Sequence, residues 1–179
     1  MARYGMVIDT TKCVGCFACR VACQMQNSLN VKEAFIRYNE IETGKYPVVR
    51  AEHVPLACMH CSDAPCVAVC PTGASYINAD GVVLVNADRC IGCKYCMNAC
   101  PYGARIVNEA EGTVEKCRFC VLSDDGSVPE PACVSTCITG ARTFGDLDDP
   151  KSDINKLIIK KNAKPIAGDL TDAKVFYVR

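Results

Sequence analysis

The chain has 179 residues, 20 basic and 20 acidic side chains, and 16 cysteines, about 9% of the total, a density at which cysteine chemistry rather than a large oily core organises a small fold. Zero formal charge, 7% aromatics and no tryptophan exclude a nucleic-acid surface built from bulk positive charge, and one or two small domains is the ceiling. The longest strongly apolar run, residues 82–85, is far short of the roughly 20 residues that cross a bilayer.

The opening residues carry neither a twin arginine nor the apolar stretch of a secretory signal, so no export signal is expected. Tyr4–Asp9 then alternates as a short strand. It leads into a first cysteine group, Cys13, Cys16, Cys19 and Cys23, with the spacing C-x2-C-x2-C-x3-C. Residues 29–55 lack cysteine and predict an inserted hairpin, its arms 35–42 and 46–54 either side of a Thr43-Gly44 turn. The second group, Cys58, Cys61, Cys66 and Cys70, widens the middle gap to four residues and ends in Pro71. Segments 74–78 and 82–86, joined by Ala79-Asp80-Gly81, predict a hairpin. The third group, Cys90, Cys93, Cys96 and Cys100, repeats the spacing of the first and ends in Pro101. Residues 106–116 predict another hairpin, turning at Glu111-Gly112. The fourth group, Cys117, Cys120, Cys133 and Cys137, has a gap of twelve in which residues 123–127 read as an exposed loop. Beyond Gly145, Ser152 predicts the start of a helix whose Ile154, Leu157 and Ile158 share one face and pack as core. Residues 175–178 predict an edge strand, completed at home or on a partner.

Three chemistries compete for the cysteines. Disulfides are disfavoured because a cysteine every third residue leaves no clean pairing and no secretory signal is expected. Zinc takes two separated Cys-x2-Cys knuckles, whereas groups one and three offer three close sulfurs and a fourth that points elsewhere. The run C-x2-C-x2-C-x3-C-P is the bacterial ferredoxin pattern, in which three cysteines hold one cubane and the fourth ligates its neighbour. A helical rise of about 1.5 Å per residue displaces that fourth sulfur by roughly 6 Å, far enough to reach a second cube. Pro71 and Pro101 set groups two and three apart from groups one and four, a hint of how the motifs pair. Residues 65–74 also resemble residues 132–141, pointing to a duplicated ferredoxin-like half.

Four oxidised cubanes with four thiolates each carry about −2 apiece, so the loaded chain is strongly acidic. Arg20, Arg89, Lys94, Arg105, Lys116, Arg118 and Arg142 flank the motifs. A solvated surface charge is the first expectation for each, and Lys94 and Arg118 are singled out as tuners of cluster potential. His60 is either a hydrogen-bond donor to sulfur or an exposed spacer, and His53 is expected to be structural. No phosphate-cradling glycine loop and no nucleophile–base set stands out. The chain is therefore expected to move electrons rather than bonds, with no catalytic residues.

The order of these motifs, with Ala64-Pro65-Cys66-Val67, Cys100-Pro101-Tyr102 and residues 144–150, resembles the four-cluster electron-transfer (beta) subunits of complex iron–sulfur molybdoenzymes, the dimethyl sulfoxide reductase superfamily. Within it the likeness is greatest to polysulfide, thiosulfate and respiratory arsenate reductases. The resemblance implies an α+β fold of tandem bacterial-ferredoxin-like halves with pseudo-twofold symmetry. Residues 1–145 would form the interleaved four-cluster domain with its insert at 29–55, and residues 146–179 a C-terminal tail packing on the domain or a partner. It also implies ligand sets: Cys13, Cys16, Cys19 and Cys137; Cys117, Cys120, Cys133 and Cys23; Cys58, Cys61, Cys66 and Cys100; Cys90, Cys93, Cys96 and Cys70. With Cys93 present, four [4Fe-4S] clusters are expected; Ile138 departs from the proline of many relatives at that turn. Such subunits relay electrons between a molybdopterin catalytic subunit and a membrane quinone-interacting subunit in anaerobic respiration, without spanning the membrane or binding nucleic acid. The expected place is the periplasmic face of the membrane, by co-export with a signal-bearing partner. The alternatives are a cytoplasmic ferredoxin-like carrier serving a hydrogenase or formate dehydrogenase and, from another class, a structural zinc module.

Overall fold

In the computed structural model, which describes residues 2–121 and 129–179, strand β1 (Tyr4–Asp9) organises the fold. The loop expected at residues 123–127 lies outside the described residues. Met6 and Ile8 point to one face of β1 and Val7 to the other, and all three are buried, so both faces of this strand must be covered. It pairs antiparallel with β8 (Arg142–Asp146), Val7 opposite Thr143, and parallel with β10 (Val175–Val178), Val7 opposite Phe176. The two-residue β9 (Lys164–Pro165) completes the order β8-β1-β10-β9.

The closing strand is thus internal rather than an edge. Val175, Tyr177 and Val178 are buried, and a strand apolar on both faces needs neighbours and cover that an edge does not supply. Helix α5 (Asp153–Lys161), the last of five numbered in chain order, covers the Val7 face. Its Ile154 joins Val7, Ala163 and Val178, with Leu157 and Ile158 packed alongside. Ser152 stands at the N-cap position but leaves the helix uncapped; its hydroxyl donates instead to the Asp146 carbonyl at 2.8 Å. The opposite face of the sheet turns Met6, Ile8, Val175 and Tyr177 toward the cysteine-bearing core.

The remaining strands are hairpins. β2 (Arg37–Lys45) and β3 (Val48–Leu56) form the insert, turning at Tyr46 and Pro47, so Thr43 and Gly44 lie within β2 rather than at the turn. Toward that tip neither face is buried, with Tyr46 93% and Val48 69% exposed, and without a buried face the apolar alternation that marks register is missing. β4 (Ser75–Ile77) pairs with β5 (Val83–Val85), and β6 (Ile106–Asn108) with β7 (Thr113–Glu115), as expected. Each cysteine group feeds a helix: α1 (Ala18–Gln26), α2 (Pro65–Ala68), α3 (Tyr95–Asn98) and α4 (Ala132–Ser135). α1 packs against α4, and α2 against α3. Among the described residues no helix is long and apolar enough to cross a membrane.

Ile154 is 1% exposed and Ile159 82% exposed on the same helix. Ile154→Ala should therefore cost about 2–5 kcal/mol and lower the thermal midpoint of the loaded protein, whereas Ile159→Ala should stay within about 0.5 kcal/mol. Equal midpoints for the two variants would contradict the packing of α5 on β1.

Candidate functional site

Motifs one and three share one loop geometry. Gly15 and Gly92 take φ of 65° and 64°, and Phe17 and Lys94, which precede α1 and α3, take 59° and 62°. The left-handed steps reverse each loop just before the helix begins. A Cβ at Gly92 would run into the Gly112 carbonyl oxygen, and one at Gly15 would lie 2.8 Å from the His53 ring. His53 thus props the first loop from β3, with Nδ1 3.6 Å from Glu40, the structural role expected of it.

Folding gathers the sulfurs across motifs. Cys23 of α1 has Cys120 and Cys133 for neighbours. A cavity is bordered by Cys23, Cys117, Cys120 and Cys133, with Cys58 of motif two, Phe119 and Arg142 also in its wall. Cys61 lies beside Cys58, Cys66 and Cys100. A second cavity is bordered by Cys70, Cys90, Cys93 and Cys96. Cys13 and Cys19 share Tyr38, whose hydroxyl is 2.8 Å from Cys19 Sγ. Among the described residues no group of three or more cysteine, histidine or acidic side chains converges on a single-ion site. Two of the quartets each line a cavity, as a cubane held by four thiolates requires.

Backbone and hydroxyl donors reach several sulfurs. Cys70 Sγ accepts from the Ser75 N–H at 3.4 Å and lies 3.7 Å from the Thr72 hydroxyl. Cys137 repeats this, with the Ala141 N–H at 3.2 Å and the Thr139 hydroxyl at 3.7 Å. Burial works to raise both thiols, but these donors outweigh it and hold both below the ordinary thiol value. Elsewhere burial wins: Cys23 is pushed up to about 12, and Cys61 and Cys133 to about 11.

Four cations lie inside: Arg105, Lys116, Arg142 and Lys174 are each 5% exposed or less. Among the described residues none forms an ion pair with a carboxylate. Arg105 donates to the Ser75 hydroxyl at 2.7 Å, Arg142 to Met6 Sδ at 3.4 Å, and each retains one buried guanidinium nitrogen without a partner. Cysteine sulfurs, anionic once they are thiolates, are their nearest company: Cys66 and Cys96 around Arg105, Cys133 and Cys19 around Arg142. Burial works to lower the pKa of each guanidinium, and the neighbouring thiolates more than reverse it. Such cations fit a strongly anionic guest. Of the motif-flanking cations, Arg105, Lys116 and Arg142 go inside, whereas Lys94, singled out from the sequence, is exposed and Arg118 half-buried. Lys174 stands far from any motif; its only sequence signal is a charge inside the apolar run 173–178.

His60 meets one of the two roles expected of it, donation to a sulfur, through its backbone N–H rather than its ring, and it is no exposed spacer. It is fully buried, its ring stacked on Phe119 at 3.7 Å and 25°, with both ring nitrogens unpartnered. Its backbone N–H reaches Cys58 Sγ at 3.5 Å. Burial, then the Lys116, Lys174 and Arg105 charges, hold the imidazole well below its ordinary pKa.

Residues 12–74 and 49–147 each match the family described as 4Fe-4S dicluster domain. The sequence is 42% identical to one polypeptide of the polysulfide reductase of Wolinella succinogenes, over 98% of this chain and 94% of that one. It is 39% identical to the arsenate respiratory reductase iron–sulfur subunit of a Shewanella species, over 99% and 96%. One polypeptide of the sulfite dehydrogenase of Allochromatium vinosum is 42% identical over 87% of this chain and 73% of that one. This protein belongs to the 4Fe-4S dicluster family, among the iron–sulfur subunits of oxidoreductase complexes. It is built of tandem ferredoxin-like units of mixed helix and strand, carries four [4Fe-4S] clusters, and is an electron-transfer rather than a catalytic component.

A cluster takes its cysteines as thiolates, so filling sites whose empty thiols sit near 11 to 12 at Cys61, Cys133 and Cys23 expels protons. Retention therefore strengthens as pH rises and weakens as it falls. Iron release from the anaerobic loaded protein into a chelator should slow steadily from about pH 6 and keep slowing past about pH 8.5, where an ordinary thiol levels off. Release rates flat across that range would contradict the burial of these sulfurs.

Proposed function

We propose that this member of the dicluster family relays single electrons between a molybdopterin catalytic subunit and a membrane-anchored, quinone-reacting subunit in anaerobic respiration. The observation that carries the reading is the exposure pattern of the sixteen cysteines: only Cys16 and Cys93 are exposed, and the others are buried or half-buried. These two stand at the same position of motifs one and three, giving one approach for a carrier in each motif pair and a shielded stretch between. When bound, the clusters supply carriers that take up and release one electron each. The chain's own residues hold them, keep water from the inner ones, and set their electrostatic surroundings.

The ligand grouping proposed is Cys13, Cys16, Cys19 with Cys137; Cys117, Cys120, Cys133 with Cys23; Cys58, Cys61, Cys66 with Cys100; and Cys90, Cys93, Cys96 with Cys70. Its support is the packing of α1 on α4 and α2 on α3, together with two cavities, one whose cysteines are Cys70, Cys90, Cys93 and Cys96 and one bordered by Cys23, Cys117, Cys120 and Cys133 with Cys58 also in its wall. The same pairing supports a pseudo-twofold relation between the halves. Residues 1–145 then form the interleaved unit with the hairpin of 29–55 as its insert, and residues 146–179 its closing segment. The membrane partner and a periplasmic position reached by co-export with a signal-bearing partner complete the proposal.

The complex captured natively and anaerobically through this protein, analysed for iron, molybdenum, tungsten and zinc, tests it. Roughly 16 iron atoms per copy over and above the partners' own, with molybdenum or tungsten, is the expected result. Iron with neither heavy metal would remove the molybdopterin partner, and zinc without iron would overturn the cluster assignment itself.

A further inference from the structure

The buried cations are unevenly shared. Arg142 alone faces Cys19 and Cys133. Three others converge on the sulfurs of motif two and arrive from three separate parts of the chain. Arg105, just after the turn that ends motif three, reaches Cys66 and has Cys58 in its field while holding the Ser75 hydroxyl at 2.7 Å. Lys116, at the end of β7, donates from Nζ to the carbonyls of Val83 and Cys117 and has Cys58 and Cys66 as anionic neighbours. Lys174 comes from a C-terminal strap laid over motif two: the Ser62 and Asp63 N–H groups donate to the Asp172 and Thr171 carbonyls, and the Lys174 N–H to that of Met59, at 2.9, 3.2 and 2.9 Å. Its Nζ donates to the Gly81 carbonyl at 2.6 Å, with Cys61 and Cys58 in its field, and there Arg3 and Asp172 act in opposite directions. From the same strap the Thr171 hydroxyl lies 2.7 Å from that of Tyr102.

We infer that Arg105, Lys116 and Lys174 make the site of Cys58, Cys61, Cys66 and Cys100 the first of the four to accept an electron, an inference that rests on the ligand grouping proposed above. The argument is one of charge balance in a dry site. Cys58, Cys61 and Cys66 are each 8% exposed, and burial alone opposes adding negative charge. A cubane with four thiolates goes from about −2 to about −3 on taking one electron. Set against three buried cations, two of them shared with neighbouring sites, the added negative charge is compensated here more fully than at the other three sites, so burial opposes the electron least. Among the described residues the Cys13 site has one buried cation, Arg142 beside Cys19, and an exposed Cys16. The Cys90 site shares Arg105 through Cys96, and the Cys117 site shares Lys116 and also faces Arg142 through Cys133 and Cys23; both fall between. At an effective dielectric of about 20, a unit charge in contact range is worth about tenfold or more in the reduction equilibrium. The three act as positioning charges and touch no substrate.

The test is a reductive titration of the anaerobically purified complex, followed by the electron paramagnetic resonance of each cluster. Cys61→Ser identifies the signal of this site, which should be the first to appear on reduction. Lys116→Met should make its reduction at least tenfold less favourable, about 59 mV for one electron, and shift the Cys117 site in the same direction by less. The Cys13 site should stay where it is, and Lys116→Arg should restore the parent value. If Lys116→Met fails to retain its clusters, Lys174→Gln carries the same expected shift without touching the motif sequence. A parent protein short of four cubanes, or a Cys61→Ser change that disturbs a different set of signals, would sink the ligand grouping. Four intact clusters whose Cys61-linked signal appears late, or fails to move in the lysine variants, would overturn the inference and leave the grouping standing.

Discussion

Everything in this chain depends on the match between buried positive side chains and the sulfur-lined cavities beside them. Removing a charged side chain from water without a partner costs several kcal/mol even after relaxation. Arg105, Lys116, Arg142 and Lys174 together would consume about as much as the 5–15 kcal/mol by which a domain is usually stable. Among the described residues no carboxylate pairs with any of them. Carbonyls, a serine hydroxyl and a thioether take some of their protons, yet one nitrogen of each buried arginine is left unused. The arrangement is stable only with concentrated negative charge in the cavities, which the clusters bring. Cofactor and fold are therefore one thermodynamic unit, with the iron–sulfur groups standing where a larger domain would have an aromatic core.

Against that common requirement the motifs are alike in backbone and unlike in charge. Gly15 and Gly92, Phe17 and Lys94, and the donor pairs at Cys70 and Cys137 repeat each other closely. The turn after the closing cysteine also repeats in motifs two, three and four: Gly73-Ala74-Ser75, Gly103-Ala104-Arg105 and Gly140-Ala141-Arg142. In two of these the third residue is a buried arginine; in the other it is Ser75, which accepts a hydrogen bond from Arg105. One position in the repeat thus decides whether a motif supplies a cation or receives its neighbour's. A backbone template is copied while the electrostatics of each copy diverge, as expected if carriers along one wire must differ in potential.

Local features of the sequence were legible because their physics is local. β1, the two short hairpins and α5 follow from alternation, turn residues and a one-faced stripe. Cysteine spacing pointed to cubanes because a loop followed by a helical turn constrains sulfurs over only a few residues. Illegible features depended on what distant segments do. Nothing near His60 in the sequence announces that Phe119 stacks on it. Lys116 and Lys94 look equally like surface lysines until β7 is folded inward and the start of α3 outward. The turn of the insert lies beyond Thr43-Gly44, where sequence alone puts it, because both faces near the tip meet solvent and side-chain polarity holds no record of register there.

The closing segment shows how far the redox site reaches into the fold. β10 is hydrogen-bonded on both sides, parallel to β1 and antiparallel to β9, which holds residues 171–174 over motif two in a fixed register. Thr171 and Lys174 are 2% and 3% exposed, so neither can swing away without opening the sheet that joins the first strand to the last. The Tyr177 hydroxyl donates to the Pro55 carbonyl at 3.0 Å, fastening the same strand to the base of the inserted hairpin. A cation delivered by a flexible tail would be screened and mobile, and its effect on a nearby cluster would average toward that of water. Delivered by a central strand, it keeps its distance and its dry surroundings. That explains why the residues farthest in sequence from any cysteine are packed as tightly as the motifs themselves.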